Sequence, residues 1–234
     1  MRTRSKYSFT YWLRNQLWLS LSSIVIIMTA CSSDSIEIDS PDSGGTKDPL
    51  CPVAEAIDLG LPSGTKWASW NIGATKPEGN GGYYAWGETE EKKYYYWSTY
   101  IHCDGTEETC HLLGVDIAGS KYDVAHVKWG GSWRMPSKAQ TDELIETCAR
   151  KWTQLNGVYG VLVTGPNGNS IFLPAAGYRL GDHLYYEGDS GYYYSSSVYP
   201  GNESYVLDFG FYSRGWDCDH GGRHYGFSVR AFCP

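Results

Sequence analysis

The spacing of apolar residues along the chain predicts many short strands and one clear helix. Runs of β-branched and aromatic residues stand between Gly, Pro and Asn positions, which is the pattern of strands joined by tight turns. The predicted strands are residues 54–61, 66–70, 83–86, 158–164, 170–173 and 225–232. Residues 165–169, Gly-Pro-Asn-Gly-Asn, are predicted to join two of these strands as a hairpin.

The helix is predicted from its capping residues. Ser137 is a preferred N-cap residue, and Gln140 follows at the spacing of a capping box. Leu144, Ile145 and Cys148 then fall on one face of the helix, which predicts that this face packs on a core. Because strands outnumber helices, the pattern predicts an α+β domain with short antiparallel strands and long Gly- and Tyr-rich loops.

The N-terminal segment has the organisation of an export signal. Four basic residues form an n-region, and the apolar residues 17–27 form an h-region. Met28-Thr29-Ala30-Cys31 then resembles the lipobox of bacterial lipoprotein precursors, which implies that Cys31 is lipidated and becomes the first mature residue. The alternative is a transmembrane helix, but the apolar run is well short of the roughly 20 residues that span a bilayer.

The predicted domain organisation follows from this signal. Residues 1–31 are a lipoprotein signal peptide, residues 32–50 are a flexible acidic stalk, and residues 51–234 form a single domain. The serines and acidic residues directly after Cys31 resemble the surface-export signals of Bacteroidetes lipoproteins. We therefore expect an outer-membrane lipoprotein exposed at the cell surface, with a periplasm-facing lipoprotein as the alternative.

The charge of the mature chain restricts its partners. Without residues 1–31 the chain has 15 basic and 26 acidic residues, a net charge of −11. Such an acidic domain lacks the electrostatic footprint of a nucleic-acid-binding protein. It also lacks a polybasic attraction to anionic lipid, so we expect membrane contact through the lipid anchor only.

The cysteines of the mature domain are even in number, which suits disulfides in an oxidising compartment. They are Cys51, Cys103, Cys110, Cys148, Cys218 and Cys233. Cys103 and Cys110 are close enough in sequence to close a loop, and Cys148 and Cys233 are candidates for closing the domain. The sequence alone does not choose among the possible connectivities.

Several motifs in order carry a family resemblance. They are Ala56-Ile57-Asp58-Leu59-Gly60-Leu61-Pro62-Ser63-Gly64, Tyr83-Tyr84-Ala85-Trp86-Gly87-Glu88-Thr89, Trp129-Gly130-Gly131-Ser132-Trp133-Arg134-Met135-Pro136 and Phe172-Leu173-Pro174-Ala175-Ala176-Gly177-Tyr178-Arg179. With these motifs, residues 53–234 resemble the Fibrobacter succinogenes major paralogous domain of Bacteroidetes lipoproteins. The resemblance implies a C-type lectin-like fold but no single activity. The tryptophans of this region are expected to fill the core; they are Trp67, Trp70, Trp86, Trp129 and Trp133.

No enzymatic or metal-binding motif is complete, so we expect neither an enzyme nor a cofactor. Cys218, His220 and His224 have spacings that suit zinc, but Gly221 and Gly222 interrupt any helix that would align the two histidines. The sequence also lacks the paired-cysteine motif of formylglycine-generating enzymes, the Gly-x-Ser-x-Gly motif of hydrolases and the calcium-binding motifs of sugar-binding lectins.

An acidic run offers one further catalytic alternative. Glu88, Glu90 and Glu91 stand beside Lys92 and Lys93, and a pair of carboxylates across a cleft would suit glycoside hydrolysis. Nothing in the sequence places two acids across a cleft, so we expect a solvated charge run.

The C-terminal segment has the composition of a binding surface. Residues 185–232 contain nine tyrosines among many Gly, Ser, Asp and Asn residues, as in antibody paratopes. In the run Tyr192-Tyr193-Tyr194, neighbouring rings point to opposite sides of a strand, so we expect some of them to be exposed. The tyrosines therefore predict binding of an extracellular protein or glycan. The alternatives are a structural or adhesive lipoprotein without a discrete ligand site and, more distantly, a residual enzyme.

The same segment resembles the variable proteins of diversity-generating retroelements, in which adenines near the end of the gene are mutated. Randomised AAC codons do not produce Lys, Gln, Met, Glu or Trp. After Gln154 the chain has no Lys, Gln or Met, and only Glu187, Glu203 and Trp216 from this excluded set. Cys218 is then a substituted position and not a framework cysteine. The candidate ligand-binding residues are Tyr199, Ser204, Tyr205, Asp208, Tyr212, Arg214, Trp216, Asp217, Asp219, His220, Arg223 and His224.

Overall fold

The computed structural model describes residues 53–234, except for the side chains of Asp217 and Cys218. The predicted signal peptide, Cys31, the stalk and Cys51 lie outside the described residues. The strands are β1 (Ala56–Asp58), β2 (Lys66–Ala68), β3 (Ala149–Leu155), β4 (Val158–Thr164), β5 (Ser170–Pro174), β6 (Tyr178–Leu180), β7 (His183–Tyr185), β8 (Ser190–Val198), β9 (Tyr205–Tyr212), β10 (Gly215–Gly222) and β11 (Phe232–Cys233). The helices are α1 (Val124–Trp129) and α2 (Lys138–Thr147), with 3₁₀ turns at Trp97–Thr99 and Glu107–Thr109.

The strands form small antiparallel sheets, which confirms the predicted α+β class. Three sheets have three strands each, in the orders β1-β2-β11, β3-β4-β5 and β10-β9-β8, and β6 pairs with β7. Helix α2 packs against β8 and β9. The finer prediction of a C-type lectin-like fold stays a prediction.

Helix α2 and the β4–β5 hairpin are confirmed where the sequence placed them. The backbone amide of Ser137 donates to Oε1 of Gln140 over 3.0 Å, as a capping box requires. Leu144 is fully buried, and Ile145 and Cys148 pack against the same core cluster. Strands 54–61 and 66–70 are shorter than predicted, and 83–86 contributes only one bridge, between Tyr84 and Phe227.

The core is divided into clusters that lie on both sides of β8. One cluster contains Trp86, Trp129 and Tyr194, and a second contains Trp67 and Tyr193. Trp67, Trp86 and Trp129 are almost fully buried, which confirms their expected role. The expectation that a ring on one side of the tyrosine run would be exposed is wrong for Tyr193 and Tyr194, because each side of β8 faces a core cluster.

Residues 225–232 are not one strand, contrary to the prediction. Only Phe232 and Cys233 form β11, while the residues before them bridge separately to Tyr84, Arg179 and Tyr193. Because its hydrogen bonds go to several remote segments, this stretch connects the sheets. It does not pair with one neighbouring strand along its length.

A buried arginine holds the same stretch in place. Arg230 donates to the carbonyls of Ala68 in β2 and Phe172 in β5, at 3.1 and 2.8 Å, and to Oδ1 of Asn71 at 2.8 Å. Its partners are thus amide oxygens from two sheets. Burial lowers the pKa of this guanidinium to about 10, so it stays charged at neutral pH.

One predicted disulfide is confirmed and one pairing is wrong. Cys103 and Cys110 are bonded and close a short loop. Cys148 and Cys233 are both free thiols, because Cys148 ends α2 while Cys233 lies buried in β11 beside β2. The side chain of Cys218 and the whole of Cys51 are outside what the structure describes.

Candidate binding surface

The β9–β10 hairpin separates the predicted binding residues into two groups. Its register pairs Tyr212 with Gly215 at the turn and Tyr205 with Gly222 at the far end. Since each residue of a strand adds roughly 3.3 Å, the two ends of this hairpin are more than 20 Å apart. The predicted residues therefore do not form a single patch.

Three aromatic residues meet at the far end of the hairpin. The ring of His220 stacks on Tyr199, with centroids 4.2 Å apart, and its other contact is an edge-to-face one with Tyr205 at 5.3 Å. His220 is exposed, and its Nδ1 lies 2.6 Å from the carboxylate of the exposed Asp219. This end of the hairpin thus presents stacked rings and a carboxylate to solvent.

The residues at the turn form a second, smaller group. Tyr212 and Arg214 are exposed, whereas Trp216 is half-buried against Phe211. The guanidinium of Arg150 lies 5.8 Å from the Trp216 ring centroid, within the range of a cation–π contact. Trp216 therefore packs at the sheet surface and is only partly available to a ligand. For Asp217 the structure describes the strand backbone only.

Four of the predicted contact residues lie inside the molecule. They are Ser204, Asp208, Arg223 and His224. The hydroxyl of Ser204 donates to the carbonyl of Glu107 at 2.7 Å. Each of these side chains is enclosed by protein, so none of the four belongs to the surface that we propose below.

Arg223 is the most deeply enclosed of the four. Its guanidinium lies 4.7 Å from the ring centroid of Trp86, and Nε donates to the hydroxyl of Tyr100 at 2.9 Å. Its Nη1 donates to the carbonyls of His111 and Glu203, both at 3.0 Å. These contacts join the disulfide loop region to the start of β9, which is a structural role.

His224 sits between Trp97 and Tyr225, with ring centroids 4.0 and 4.6 Å away. Burial, and then the positive charge of Lys92, lower the pKa of this imidazole to about 4. It is therefore neutral at physiological pH. Its Nδ1 is buried and has no hydrogen-bond partner among the described residues.

A cluster of tyrosines that the sequence reasoning did not single out lies beside His224. Tyr178 is its centre, with ring centroids 5.5 Å from Tyr185 and 5.7 Å from Tyr225 in nearly parallel orientations. Tyr192 and Tyr186 contact the same ring at 5.0 and 6.0 Å. Burial and the four neighbouring tyrosines raise the pKa of Tyr178 to about 12, which indicates how closely these side chains are grouped.

Tyr186 has a strained backbone. Its φ is 56°, in the left-handed region that a bulky residue rarely adopts. The carbonyl of Tyr186 accepts hydrogen bonds from the amides of Asp189 and Ser190, both at 3.0 Å, which fix this conformation. Its side chain is 55% exposed, so the strain is not compensated by complete burial of the ring.

The tyrosine cluster and the rings of the β9–β10 hairpin are neighbours. The amide of Tyr225 donates to the carbonyl of Gly222 at 3.0 Å, and Gly222 pairs with Tyr205 in the register of the hairpin, so Tyr225 adjoins the end that carries Tyr205. We call the combined surface the aromatic face. It consists of Tyr178, Tyr185, Tyr186, Tyr192, Tyr199, Tyr205, His220 and Tyr225. Three of its eight residues, Tyr199, Tyr205 and His220, were predicted as ligand-binding residues. The tyrosine density of residues 185–232 pointed to every other tyrosine of the face except Tyr178.

The acidic run lines a cavity of about 470 Å³ formed by residues 88–94, Thr99 and Ile101. Glu90, Glu91 and Lys93 are exposed, as expected of a solvated run, but Glu88 is buried and accepts from Nζ of Lys92 at 2.7 Å and from the amide of Ile101 at 3.0 Å. Glu91 accepts the Tyr83 amide at 2.9 Å. These carboxylates are used to order the loop, so the cavity lacks a free pair of acids facing each other.

Among residues 53–234, with the side chains of Asp217 and Cys218 left aside, no three His, Cys, Asp or Glu side chains are placed to hold a metal ion. No helix there has the length and apolar composition needed to cross a membrane. No protein family, curated protein or solved structure matches this chain.

Proposed function

We propose that this protein is a surface-anchored lipoprotein whose domain binds an extracellular protein or glycan through the aromatic face. The observation that carries the proposal is the series of neighbouring, partly exposed rings that runs from Tyr199 to Tyr186. Contiguous exposed aromatic surface of this kind marks interaction sites in soluble domains. The lipobox-like sequence at Cys31 and the resemblance to the Fibrobacter succinogenes major paralogous domain support an exported, C-type lectin-like module.

The chemistry of the aromatic face suits recognition of a macromolecule. Tyrosine offers a large amphipathic contact area with little loss of conformational entropy, and the Ser, Gly and Asn residues around it supply adaptable hydrogen bonds. The fixed hairpins β6–β7 and β9–β10 hold the rings in place before a ligand arrives. Such preorganisation lowers the cost of binding.

We also propose that part of this surface is diversified by a retroelement. The exposed or half-exposed candidates for variable positions in the C-terminal segment are Tyr199, Tyr205, Tyr212, Arg214, Asp219 and His220. Sequencing of the flanking locus tests this. A near-copy of the 3′ end of the gene, differing mainly at adenines beside a reverse transcriptase gene, is expected, and a locus without such a copy would overturn diversification.

Binding is tested with the full chain displayed on a bacterial outer membrane and screened against panels of glycans and secreted proteins. We expect a saturable ligand whose affinity falls by about tenfold or more when Tyr205→Ala or Tyr185→Ala removes a ring at the surface. Tyr159→Ala is the matched control, because Tyr159 is about as exposed as Tyr185 and stacks on Trp152 in a different sheet.

The second candidate function is a structural or adhesive envelope lipoprotein. The burial of Tyr193 and Tyr194, whose hydroxyls donate to the carbonyls of Pro174 and Gly222, favours it, because these tyrosines serve the fold. Deletion of the gene would then weaken the envelope, while Tyr205→Ala, Tyr185→Ala and Tyr159→Ala would behave alike in every binding screen.

A further inference from the structure

We propose that the aromatic face binds a basic segment of a partner protein, one that carries arginine side chains. This inference rests on the proposed binding function and names its ligand class. Three observations carry it: the charge of the segments that build the face, the position of the chain's own arginines, and the strained exposure of Tyr186.

The segments that build the aromatic face carry a net negative charge. Residues 178–225, which contain every ring of the face, have seven Asp and Glu residues against three arginines, Arg179, Arg214 and Arg223. Asp182, Glu187 and Asp189 are exposed and flank Tyr185 and Tyr186 along the chain. At the other end of the face, the exposed Glu203 and Asp219 lie beside Tyr205 and His220. A cationic ligand is therefore attracted to this surface and an anionic one is repelled.

The side-chain partners of these carboxylates leave their charge largely available. Asp182 and Asp219 contact the imidazoles of their neighbours in sequence, His183 and His220. Glu187 accepts a hydrogen bond from the neutral amide of Asn80 at 2.7 Å. A guanidinium from a partner can thus add to these carboxylates, because it offers several N–H donors and a positive charge at once.

The arginines of this chain that are nearest the face are used elsewhere. Arg223 is enclosed against Trp86, and the guanidinium of Arg179 lies 5.2 Å from the Tyr83 ring centroid. Arg214 stands at the turn of the β9–β10 hairpin, the end away from Tyr205. Arg223 and Arg179 thus each lie against an aromatic ring of this chain. The exposed rings of the aromatic face offer the same kind of contact to an arginine of a partner.

Tyr186 supplies the third observation. A tyrosine at φ 56° is less favourable than a Gly or Asn would be, yet it places a ring that is 55% exposed next to Asp182, Glu187 and Asp189 in sequence. Strain of this kind is retained at ligand-binding positions, where the side chain makes its contacts outside the molecule. We therefore assign Tyr186 as a principal contact for the basic segment.

The test uses the full chain in detergent and three probes of matched size. They are a peptide with alternating Arg and Gly, the same peptide with Glu in place of Arg, and the neutral oligosaccharide cellohexaose. We expect binding of the Arg peptide only, weakened about tenfold or more by raising the ionic strength well above physiological. Tyr186→Asn and Tyr185→Ser are expected to weaken it similarly, whereas Tyr159→Ser leaves it unchanged.

Stability is measured on the same variants. Because Asn tolerates positive φ, Tyr186→Asn is expected to keep or raise the melting temperature while it loses peptide affinity. If Tyr186→Asn lowers the melting temperature and the peptide affinity in proportion, Tyr186 has a purely structural role, and its assignment as a ligand contact is overturned.

Other outcomes separate this inference from the function beneath it. If the Arg peptide binds the tyrosine variants as well as the native chain, the attraction is only general charge and the inference fails. If cellohexaose binds at the face without salt dependence, the ligand is a glycan, so the basic-partner inference fails while the proposed binding function stands. If no probe binds and the tyrosine variants behave as Tyr159→Ser in every ligand screen, both fail.

Discussion

At the scale of single residues, the protein buries several polar groups without a charged partner, and each has a measurable consequence. Arg230 donates to two carbonyls and an amide oxygen, and Arg223 donates to two carbonyls and a hydroxyl and lies against Trp86, although its Nη2 has no hydrogen-bond partner among the described residues. Such contacts need no counter-ion, so these side chains link segments that are remote in sequence. His224 differs from them because its protonation state changes in an accessible pH range.

His224 predicts a loss of stability in mild acid. The unfolded imidazole takes up a proton near pH 6.5, whereas the folded one resists protonation down to about pH 4. Below pH 6.5 the unfolded state therefore binds more protons, and the free energy of unfolding falls as pH drops from about 6.5 to 4, by at most roughly 3 kcal/mol. Urea unfolding followed by tryptophan fluorescence at several pH values measures this.

The variant His224→Phe isolates the effect. It keeps an aromatic ring between Trp97 and Tyr225 but cannot be protonated, so its stability should fall less steeply between pH 6.5 and 4. His183→Phe is the control, since His183 is exposed and its ring meets water in both states. An unchanged pH slope in His224→Phe would contradict the prediction.

At the scale of elements, the disulfide loop supports one part of the aromatic face. Cys103 and Cys110 close a loop that carries Glu107, whose carbonyl accepts the hydroxyl of Ser204. We predict that Cys103→Ser with Cys110→Ser lowers the free energy of unfolding by about 2 kcal/mol, the loop-closure entropy for a ring of this size.

Reductant provides the check on that prediction. Dithiothreitol should lower the stability of the native chain to that of the double serine variant and leave the variant unchanged. Equal stability of the native chain with and without reductant would show that the loop is held by its other contacts alone.

The elements also show what the sequence can predict here. Helix α2 and the β4–β5 hairpin were predicted correctly because their capping and turn residues act locally. Residues 225–232 were not, because their partners, Tyr84, Arg179 and Tyr193, are set by the tertiary fold. The burial of Tyr193 and Tyr194 was missed for a related reason, since alternation along β8 cannot reveal that both of its sides face a core.

The candidate surface was predictable in part for the same physical reasons. Tyrosine density identified Tyr199, Tyr205 and His220 as a region, but it also included Arg223 and His224, which are buried. The sequence indicated Tyr178 only as part of a family motif. Its place at the centre of the tyrosine cluster depends on neighbours from β7, β8 and residue 225, which are remote in sequence or set by the fold. Local composition thus indicates which residue types a surface contains, and only the fold determines which rings lie together on it.

At the scale of the whole molecule, the proposed function requires the aromatic face to be held outside the cell, and we expect lipidation of Cys31 to hold it there. A single acyl chain gives weak, reversible membrane binding, whereas the several chains of a mature lipoprotein hold it firmly. We predict that Cys31→Ser abolishes incorporation of radiolabelled palmitate and releases the chain from the membrane fraction. The native chain should stay with outer membranes and be cleaved by protease added to intact cells.

Cys148→Ser is the matched control, because Cys148 is a free thiol in the structure and lies far along the chain from the export signal. This variant should incorporate palmitate, stay in the membrane fraction and be cleaved by protease as the native chain is. Incorporation of palmitate into Cys31→Ser would contradict the lipobox assignment. If the native chain is labelled but is cleaved by protease only after the cells are lysed, the domain faces the periplasm. In that case the ligand must be sought inside the envelope, and the attraction of the acidic aromatic face for basic segments would act on a periplasmic partner.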